Sequence, residues 1–260
     1  MVGRLMSESH SQIHLYWATG CTSCLRAKEF LERNETPFVS HNVIEDRSLL
    51  DEMAERGMPQ HVPIVRRGAD WANAQELSAV AEIAGIEHEA DPLPVDELRT
   101  RLNVVFDALE RALEALSDDD LVTDIPNRPR SVGEIVYHAF SIPESFLEHE
   151  DGSPLKSYKP EPAWANRSTA ALATYGRHVR ARTDDWFDAH GADRDWSATA
   201  DVYYGTPSVH EFFERTVWHA GQHTRQLEWM LVEEFGAEID PVDPSVWEGL
   251  PMPEKVWDAL

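Results

Sequence analysis

Two cysteines separated by two residues, Cys21 and Cys24, are the first side chains in the sequence that could do chemistry. The residues before them read as a short strand and those after them as a helix, so Cys21 falls at the first turn of that helix. Backbone N–H groups and the positive end of the helix dipole stabilise a thiolate at such a position. The pattern therefore predicts that Cys21 is a nucleophile and that Cys24 resolves the mixed disulfide that Cys21 forms.

A zinc site and inert thiols are the alternatives for this pair. Structural zinc usually takes four protein ligands, commonly from two such cysteine pairs, and the chain contains only two cysteines. His14 and His61 could in principle complete a site, but nothing in their spacing favours it. We therefore favour redox chemistry for Cys21 and Cys24.

Three histidines form a second candidate site. His219 and His223 are four residues apart on a predicted helix, and the apolar residues around them indicate that this helix face points inward. His138 lies on the apolar face of an earlier predicted helix. Buried cationic imidazoles are costly, whereas neutral imidazoles can share one divalent ion and leave a fourth position for water or a substrate sulfur. Hydrogen-bonded core histidines and a purely structural metal site are the alternatives.

The elements that must position the cysteines follow a β-α-β-α-β-(β)-α order within residues 10–88, which indicates a small α/β domain. Strand, CxxC, helix, strand, helix and then Val62-Pro63 at the start of a strand resemble a glutaredoxin or a related thioredoxin-fold protein. The resemblance covers roughly residues 12–86. It implies that Pro63 is cis and lies against the cysteine pair, and that the backbone of Val62 binds an extended substrate thiol.

Beyond an acidic, proline-containing linker at residues 89–95, the apolar residues recur at helical spacing. Four amphipathic helices are predicted at about 96–116, 131–150, 168–190 and 206–235. The second begins with a capping box, Ser131 to Glu134, and the fourth is expected to begin at Thr206-Pro207. Together they predict a four-helix bundle over residues 96–260, with an irregular C-terminal tail packed on it.

A bundle with one inward histidine on its second helix and His-x3-His on its fourth resembles the DinB-like superfamily, here over about residues 96–235. The resemblance implies that His138, His219 and His223 bind zinc, nickel or a similar divalent ion. Members include thiol S-transferases and isomerases that use low-molecular-weight thiols, which implies such a thiol as co-substrate. The expected fold class is thus an α/β thioredoxin-like domain followed by an all-α DinB-like four-helix bundle.

The strongly acidic composition makes some classes of binding partner unfavourable. The formal net charge is −24, and a field of that sign repels nucleic acids and anionic membrane surfaces. No apolar run approaches the roughly 20 residues of a membrane span, and the first residues do not resemble a secretory signal. We therefore expect a cytoplasmic protein that contacts neither nucleic acid nor membrane.

The two halves together predict a two-domain, thiol-dependent redox enzyme. A CxxC thiol-disulfide oxidoreductase is fused to a bundle with metal-dependent thiol transferase or isomerase activity. The expected partners are a low-molecular-weight thiol and a small electrophile or mixed disulfide, with a second copy of the chain, as a homodimer, a further candidate. The alternative is a glutaredoxin-like reductase whose bundle is a non-catalytic docking, dimerisation or stress-sensing module.

Overall fold

The structure is a computed structural model that describes residues 12–126, 128, 130–155, 162 and 168–258. The chain forms two units, one of Met1–Asp91 with Pro253–Leu260 and one of Pro92–Met252. The predicted fold class is confirmed, since an α/β region is followed by an all-helical region. None of the helices in the described part of the chain has the length and apolar character of a membrane span.

The first unit is built on a four-stranded mixed sheet with the order β2-β1-β3-β4. Its elements are β1 (Ile13–Trp17), α1 (Thr22–Arg33), β2 (Phe38–Asn42), α2 (Ser48–Glu55), β3 (Ile64–Arg67), β4 (Asp70–Asn73) and α3 (Leu77–Ala84). Strand β1 pairs in parallel with β2 and antiparallel with β3, and β3 pairs antiparallel with β4. This arrangement places β1, which leads directly to the cysteines, inside the sheet.

The alternation of side chains along β1 assigns the helices to the two faces of the sheet. Ile13 and Leu15 belong to a core cluster that also contains residues of α1 and α3. Tyr16 points to the opposite face, where it belongs to a second cluster with Met53 of α2. The helix that carries the cysteines is thus packed on one face of the sheet through apolar residues such as Phe30.

The C-terminal segment Pro253–Leu260 belongs to the first unit, whereas we expected the whole tail to pack on the bundle. The physical reason is a set of hydrogen bonds to α1 and to the loop before it. The carboxylate of Glu29, which is only 5% exposed, accepts from the backbone N–H groups of Glu254 at 2.6 Å and Lys255 at 3.1 Å. The Asp258 carboxylate accepts from the backbone N–H of Gly20 at 2.9 Å.

The second unit contains four long helices, as the periodicity predicts. They are α4 (Val95–Ala115), α5 (Val132–Glu150), α6 (Thr169–Trp186) and α7 (Val209–Trp229). Helix α5 begins with the predicted capping box at Ser131 and Glu134. The predicted start of the last helix at Thr206-Pro207 is wrong, because Ser208 is the N-cap and forms a second capping box with Glu211.

Buried faces of these helices form the core of the second unit. All the apolar positions that define the predicted stripe of α4 are buried, from Leu98 through Leu113. Helices α5 and α6 approach closely at Gly176, where a Cβ atom would lie within 3.0 Å of the Phe140 ring. Close packing of this kind fixes the position of α5, which carries His138.

Candidate redox and metal sites

Cys21 is the N-cap residue of α1, and its Sγ accepts a hydrogen bond from the backbone N–H of Cys24 at 3.2 Å. The two cysteines are joined in a disulfide with their Cα atoms 5.2 Å apart. Cys24 is 1% exposed, whereas Cys21 is only partly buried. The sulfur of Cys21 therefore has both the accessibility and the helix N-terminal position that a nucleophilic thiolate requires.

The sheet register brings Val62 and Pro63 to the same end of the sheet as the loop that precedes Cys21. Tyr16 of β1 is paired with Ile64 of β3 in antiparallel register, so the residues that follow β1 lie beside those that precede β3. The Val62–Pro63 peptide bond is cis, and Pro63 is buried. The structure thus places both predicted thiol-binding residues at the end of the sheet from which the cysteine loop leaves.

Lys28, in the middle of α1, lies against an aromatic side chain of β1. The Lys28 ammonium lies 2.7 Å from the centroid of the Trp17 ring. Burial lowers the pKa of Lys28 to about 8, although the nearby carboxylates of Asp258 and Glu32 act in the opposite direction. The helix that carries the cysteines therefore has a partly desolvated cation along its side, which no pattern in the sequence predicts.

His138, His219 and His223 meet in the second unit, as their helix faces predict. One potential ligand atom from each lies within 4.8 Å of the other two, and no other group of this kind is found among the described residues. The Nε2 atoms of His219 and His223 are 3.2 Å apart. The Nδ1 atom of His223 lies 2.8 Å from Oε1 of Gln226, which orients the ring and directs Nε2 toward the other histidines.

The environment of the three imidazoles favours the neutral state that metal ligands need. Burial is the main cause and lowers the pKa of His138 and His219 well below the ordinary value. Burial and the charge of Arg130 lower the pKa of His223 to about 3, despite the hydrogen bond to Gln226. All three side chains are therefore uncharged and able to offer a lone pair at neutral pH.

These residues fit a divalent ion of the zinc or nickel type. Two nitrogens bound to one tetrahedral zinc at about 2.0–2.1 Å would be about 3.4 Å apart, close to the separation of the His219 and His223 Nε2 atoms. The Nδ1 atom of His219 is buried and has no hydrogen-bond partner among the described residues. A set of three imidazoles and no carboxylate is a donor set that suits zinc and nickel rather than magnesium or calcium.

A cleft opens beside two of the three histidines and gives access to the candidate metal site. Its described walls include His138, Ser141, Ser145, Tyr203, Arg215, Thr216 and His219, together with three apolar residues. Arg215 was not among the predicted site residues, although its position four residues before His219 is a signal that could have found it. Trp186, Trp218 and Trp229, three tryptophans of the same unit, are not among the described lining residues.

The remaining candidates are engaged elsewhere. His210 Nε2 lies 2.7 Å from the carbonyl oxygen of Leu93, on the side of α7 away from the histidine site, as its spacing predicts. Arg66, on β3, is buried and donates to the carbonyl oxygen of Gly68.

The fold and the two sites define a two-part protein, with a CxxC at a helix N-terminus in its α/β unit and three convergent histidines in its helical unit. Comparison with protein families supplies the identities of the two parts. Residues 13–69 match the glutaredoxin family and residues 101–227 match the DinB superfamily. The chain thus contains a glutaredoxin domain followed by a DinB superfamily domain, and both predicted resemblances are confirmed.

Similarities to individual proteins are more distant. Comparison with curated proteins gives no match. Among solved structures, a DinB-like protein from Bacillus cereus is 16% identical, with a TM-score of 0.49, over 57% of this chain and 97% of its own. A mycothiol-dependent maleylpyruvate isomerase is 18% identical with a TM-score of 0.37, over 50% of this chain and 60% of its own. Human glutathione S-transferase T1-1 is 15% identical with a TM-score of 0.30, over 90% of this chain and 94% of its own. These scores are modest, so the domain assignment depends on the two family models.

Proposed function

We propose that this chain is a two-domain, thiol-dependent enzyme. Its glutaredoxin domain exchanges thiols and disulfides through Cys21 and Cys24, and its helical domain binds a divalent metal ion and transfers a low-molecular-weight thiol to or from a small electrophile. The observation that carries the proposal is the presence in one chain of a helix N-terminal CxxC and of three neutral histidines whose ligand atoms converge.

In the redox half of the proposal, the Cys21 thiolate attacks one sulfur of a mixed disulfide. The new Cys21–S bond forms as the substrate S–S bond breaks, and the other substrate sulfur leaves as a thiolate. Cys24 then attacks Sγ of Cys21, which releases the second thiol and leaves the Cys21–Cys24 disulfide seen in the structure. Two molecules of a low-molecular-weight thiol then return the pair to the dithiol state and are themselves oxidised to their disulfide. Val62 and Pro63, at the same end of the sheet as the cysteine loop, would position the substrate thiol.

In the bundle half, His138, His219 and His223 would hold the metal ion. A divalent ion, when bound, lowers the pKa of a coordinated thiol and so supplies a thiolate at neutral pH. Gln226 fixes the orientation of the His223 ring, and burial keeps all three imidazoles deprotonated. The cleft beside His138 and His219 would admit the thiol and the electrophile.

The proposal predicts that the two activities can be removed separately. We expect Cys21→Ser to lower turnover of a small disulfide substrate by at least about a hundredfold with unchanged metal content, because the attacking sulfur is lost. His223→Ala should abolish metal binding, from about one ion per chain, and leave disulfide turnover unchanged. Disulfide-coupled turnover and metal analysis on the same preparations are the measurements.

His178→Ala provides the matched control, since His178 is an exposed histidine of the same unit and should affect neither property. Full disulfide turnover by the Cys21→Ser protein would refute the redox assignment. A wild-type chain that folds normally and takes up no zinc or nickel would instead favour a bundle that serves only for docking.

A further inference from the structure

The turn between β1 and α1 sets the position of Cys21. The turn consists of residues 18–21, and the backbone N–H of Cys21 donates to the carbonyl oxygen of Ala18 at 3.2 Å. Gly20 has a φ of 82°, which is typical of the third residue of a type II turn. Because the last residue of the turn is also the N-cap of α1, the turn fixes where the Cys21 sulfur lies relative to the helix.

Asn42, the last residue of β2, holds this turn from the neighbouring strand. It pairs with Trp17, the last residue of β1, and is 7% exposed. Its Nδ2 donates a hydrogen bond to Oγ1 of Thr19, the second residue of the turn, at 3.0 Å. The Asn42 side chain thus links the end of one strand to the turn that follows the other.

Two further hydrogen bonds fix the orientation of the Asn42 amide. Nδ2 also donates to Oε1 of Glu45 at 2.9 Å, and Oδ1 accepts from the backbone N–H of Ile44 at 3.1 Å. A rotation of the amide by 180° would place its oxygen against the Glu45 carboxylate and its NH₂ group against the Ile44 N–H, which is unfavourable at both contacts. The amide therefore presents a donor to Thr19 in a single orientation.

A second side chain contacts the turn but differs from Asn42 in its charge. The Asp258 carboxylate accepts from the backbone N–H of Gly20 at 2.9 Å. A carboxylate beside the turn adds a negative charge, which by itself opposes the formation of a thiolate at Cys21. Asn42 is uncharged, so its influence on Cys21 acts through geometry.

We infer that Asn42 is a positioning residue for Cys21, because its bond to Thr19 holds the turn that keeps the Cys21 sulfur against the N–H groups at the start of α1. One of these groups, the backbone N–H of Cys24, donates to Sγ of Cys21 at 3.2 Å. Hydrogen bonds weaken steeply when their geometry departs far from linear, so a loosened turn stabilises a thiolate less. The inference rests on the proposed function, in which Cys21 is the attacking sulfur.

The test measures, by peptide mass spectrometry, the rate at which iodoacetamide alkylates Cys21 in the reduced full-length protein as a function of pH. The rate follows the thiolate fraction of Cys21. Thr19→Val removes the hydroxyl and keeps the branched shape. We expect it to raise the midpoint of the profile, so that the rate below the midpoint falls about tenfold while the plateau at high pH changes little. Thr19→Ser, which keeps the oxygen, should retain the wild-type profile.

Asn42→Ala removes the donor of the same bond. It should raise the midpoint by a similar amount, and the double variant with Thr19→Val should raise it no further, because both changes remove one interaction. Ser40→Ala is the matched control. It removes another side-chain hydrogen bond between β1 and β2, which Nε1 of Trp17 donates at 2.7 Å and which does not involve the turn. It should leave the profile unchanged, and none of these substitutions alters a charge.

Unchanged midpoints in Thr19→Val and Asn42→Ala, or an equal shift in Ser40→Ala, would overturn the inference. A rate lowered by the same factor at every pH would also overturn it, since this indicates reduced access to Cys21 rather than a smaller thiolate fraction. If Asn42→Ala does not fold, Thr19→Val and Thr19→Ser decide the inference. Failure of the proposed function would be recognised separately, by the absence of disulfide turnover in the wild-type protein, because alkylation requires no turnover.

Discussion

Cys21 and the three bundle histidines lie in opposite kinds of surroundings. Cys21 is partly exposed at a helix N-terminus, where backbone N–H groups can stabilise a negative charge. His138 and His223 are 7% and 2% exposed, so burial holds them in the neutral form. Each environment suits the charge state that the proposed chemistry requires of the residue, a thiolate in one case and a neutral ligand in the other.

The cysteines and histidines could be predicted as functional groups from their residue types and spacings. A CxxC after a strand and a His-x3-His on an apolar helix face are local patterns, and each reflects a distance of about one helical turn. The residues that line the cleft could not be predicted in this way. The four-residue spacing to His219 places Arg215 on the same side of α7, but whether that side borders an opening depends on how α5 and α7 pack, which no local pattern encodes.

A second group of histidines, the pair His14 and His41, lies on the sheet of the first unit. His14 Nδ1 lies 2.8 Å from His41 Nε2, and the His41 ring stacks on Tyr16. Burial, then the charges of Arg66 and His41, lowers the pKa of His14 to about 4, while Glu52 opposes the shift. The contact is between two imidazoles that are both neutral at pH 7.

This pair predicts a pH dependence of stability. The unfolded chain protonates His14 near its ordinary pKa of 6.5, whereas the folded chain resists protonation until about pH 4. The unfolded state therefore binds more protons between these values, and the free energy of unfolding falls as the pH falls from 6.5 to 4. We expect the His14→Asn variant to show a smaller decrease over this interval. Histidine NMR titration should place the His14 midpoint near pH 4, and a midpoint at the ordinary value would contradict the assignment.

At the scale of elements, the helical half was the easier part to predict. Apolar residues at three- and four-residue spacing identified all four long helices, and the Ser131 capping box fixed the start of α5. The start of α7 was misplaced, because proline at a first helical position is a weaker signal than the reciprocal bonds of Ser208 and Glu211. Strand β4 (Asp70–Asn73) was uncertain from the sequence because it is short and mostly polar.

The contact between α5 and α6 gives a prediction about packing. Gly176→Ala would place a methyl group within 3.0 Å of three atoms of the buried Phe140 ring. Overpacking costs about 1–3 kcal/mol, and the better helix propensity of alanine returns about 1 kcal/mol. We therefore expect the bundle to lose about 1 kcal/mol of stability, measured by denaturant unfolding. His178→Ala, at an exposed position of the same helix, should change the midpoint little. Unchanged or increased stability of Gly176→Ala would show that α5 and α6 are farther apart than described.

At the scale of the whole molecule, the first unit consists of two segments far apart in the sequence. The docking of 253–258 on α1 joins Glu29 to residues 225 and 226 positions away. Trp257, in the same segment, is buried. No sequence pattern of the tail indicates its partner, since its proline- and tryptophan-containing character is compatible with packing on either unit. For this reason the entire tail was predicted to pack on the bundle.

Deletion of residues 253–260 should therefore lower the stability of α1, which lies in the N-terminal part of the same unit. The buried Glu29 carboxylate would lose the two backbone N–H donors supplied by Glu254 and Lys255, at a cost of about 1–3 kcal/mol. We expect faster amide hydrogen exchange over Thr22–Arg33 and little change in the bundle, both measured by mass spectrometry.

Glu254→Gln is the control for the deletion. It keeps the backbone N–H that Glu29 accepts from and removes the ion pair with Arg33, in which the Glu254 side chain is 68% exposed, and such pairs contribute about 0–1 kcal/mol. Exchange over α1 should then match the wild-type chain. Exchange that is equally slow in the truncated protein would show that α1 does not depend on the C-terminal segment.

The position of this segment has a consequence for the order of events during synthesis. Residues 12–86 leave the ribosome long before Glu254 and Lys255 exist. At typical rates of about 5–20 residues per second, the roughly 170 residues in between take roughly 10–30 s to translate. Throughout that interval Glu29 lacks its backbone donors and the Gly20 amide lacks the Asp258 carboxylate. The nascent protein therefore passes through a stage in which residues 20 and 29 lack these hydrogen bonds, and the bonds can form only after residues 254–258 have been synthesised.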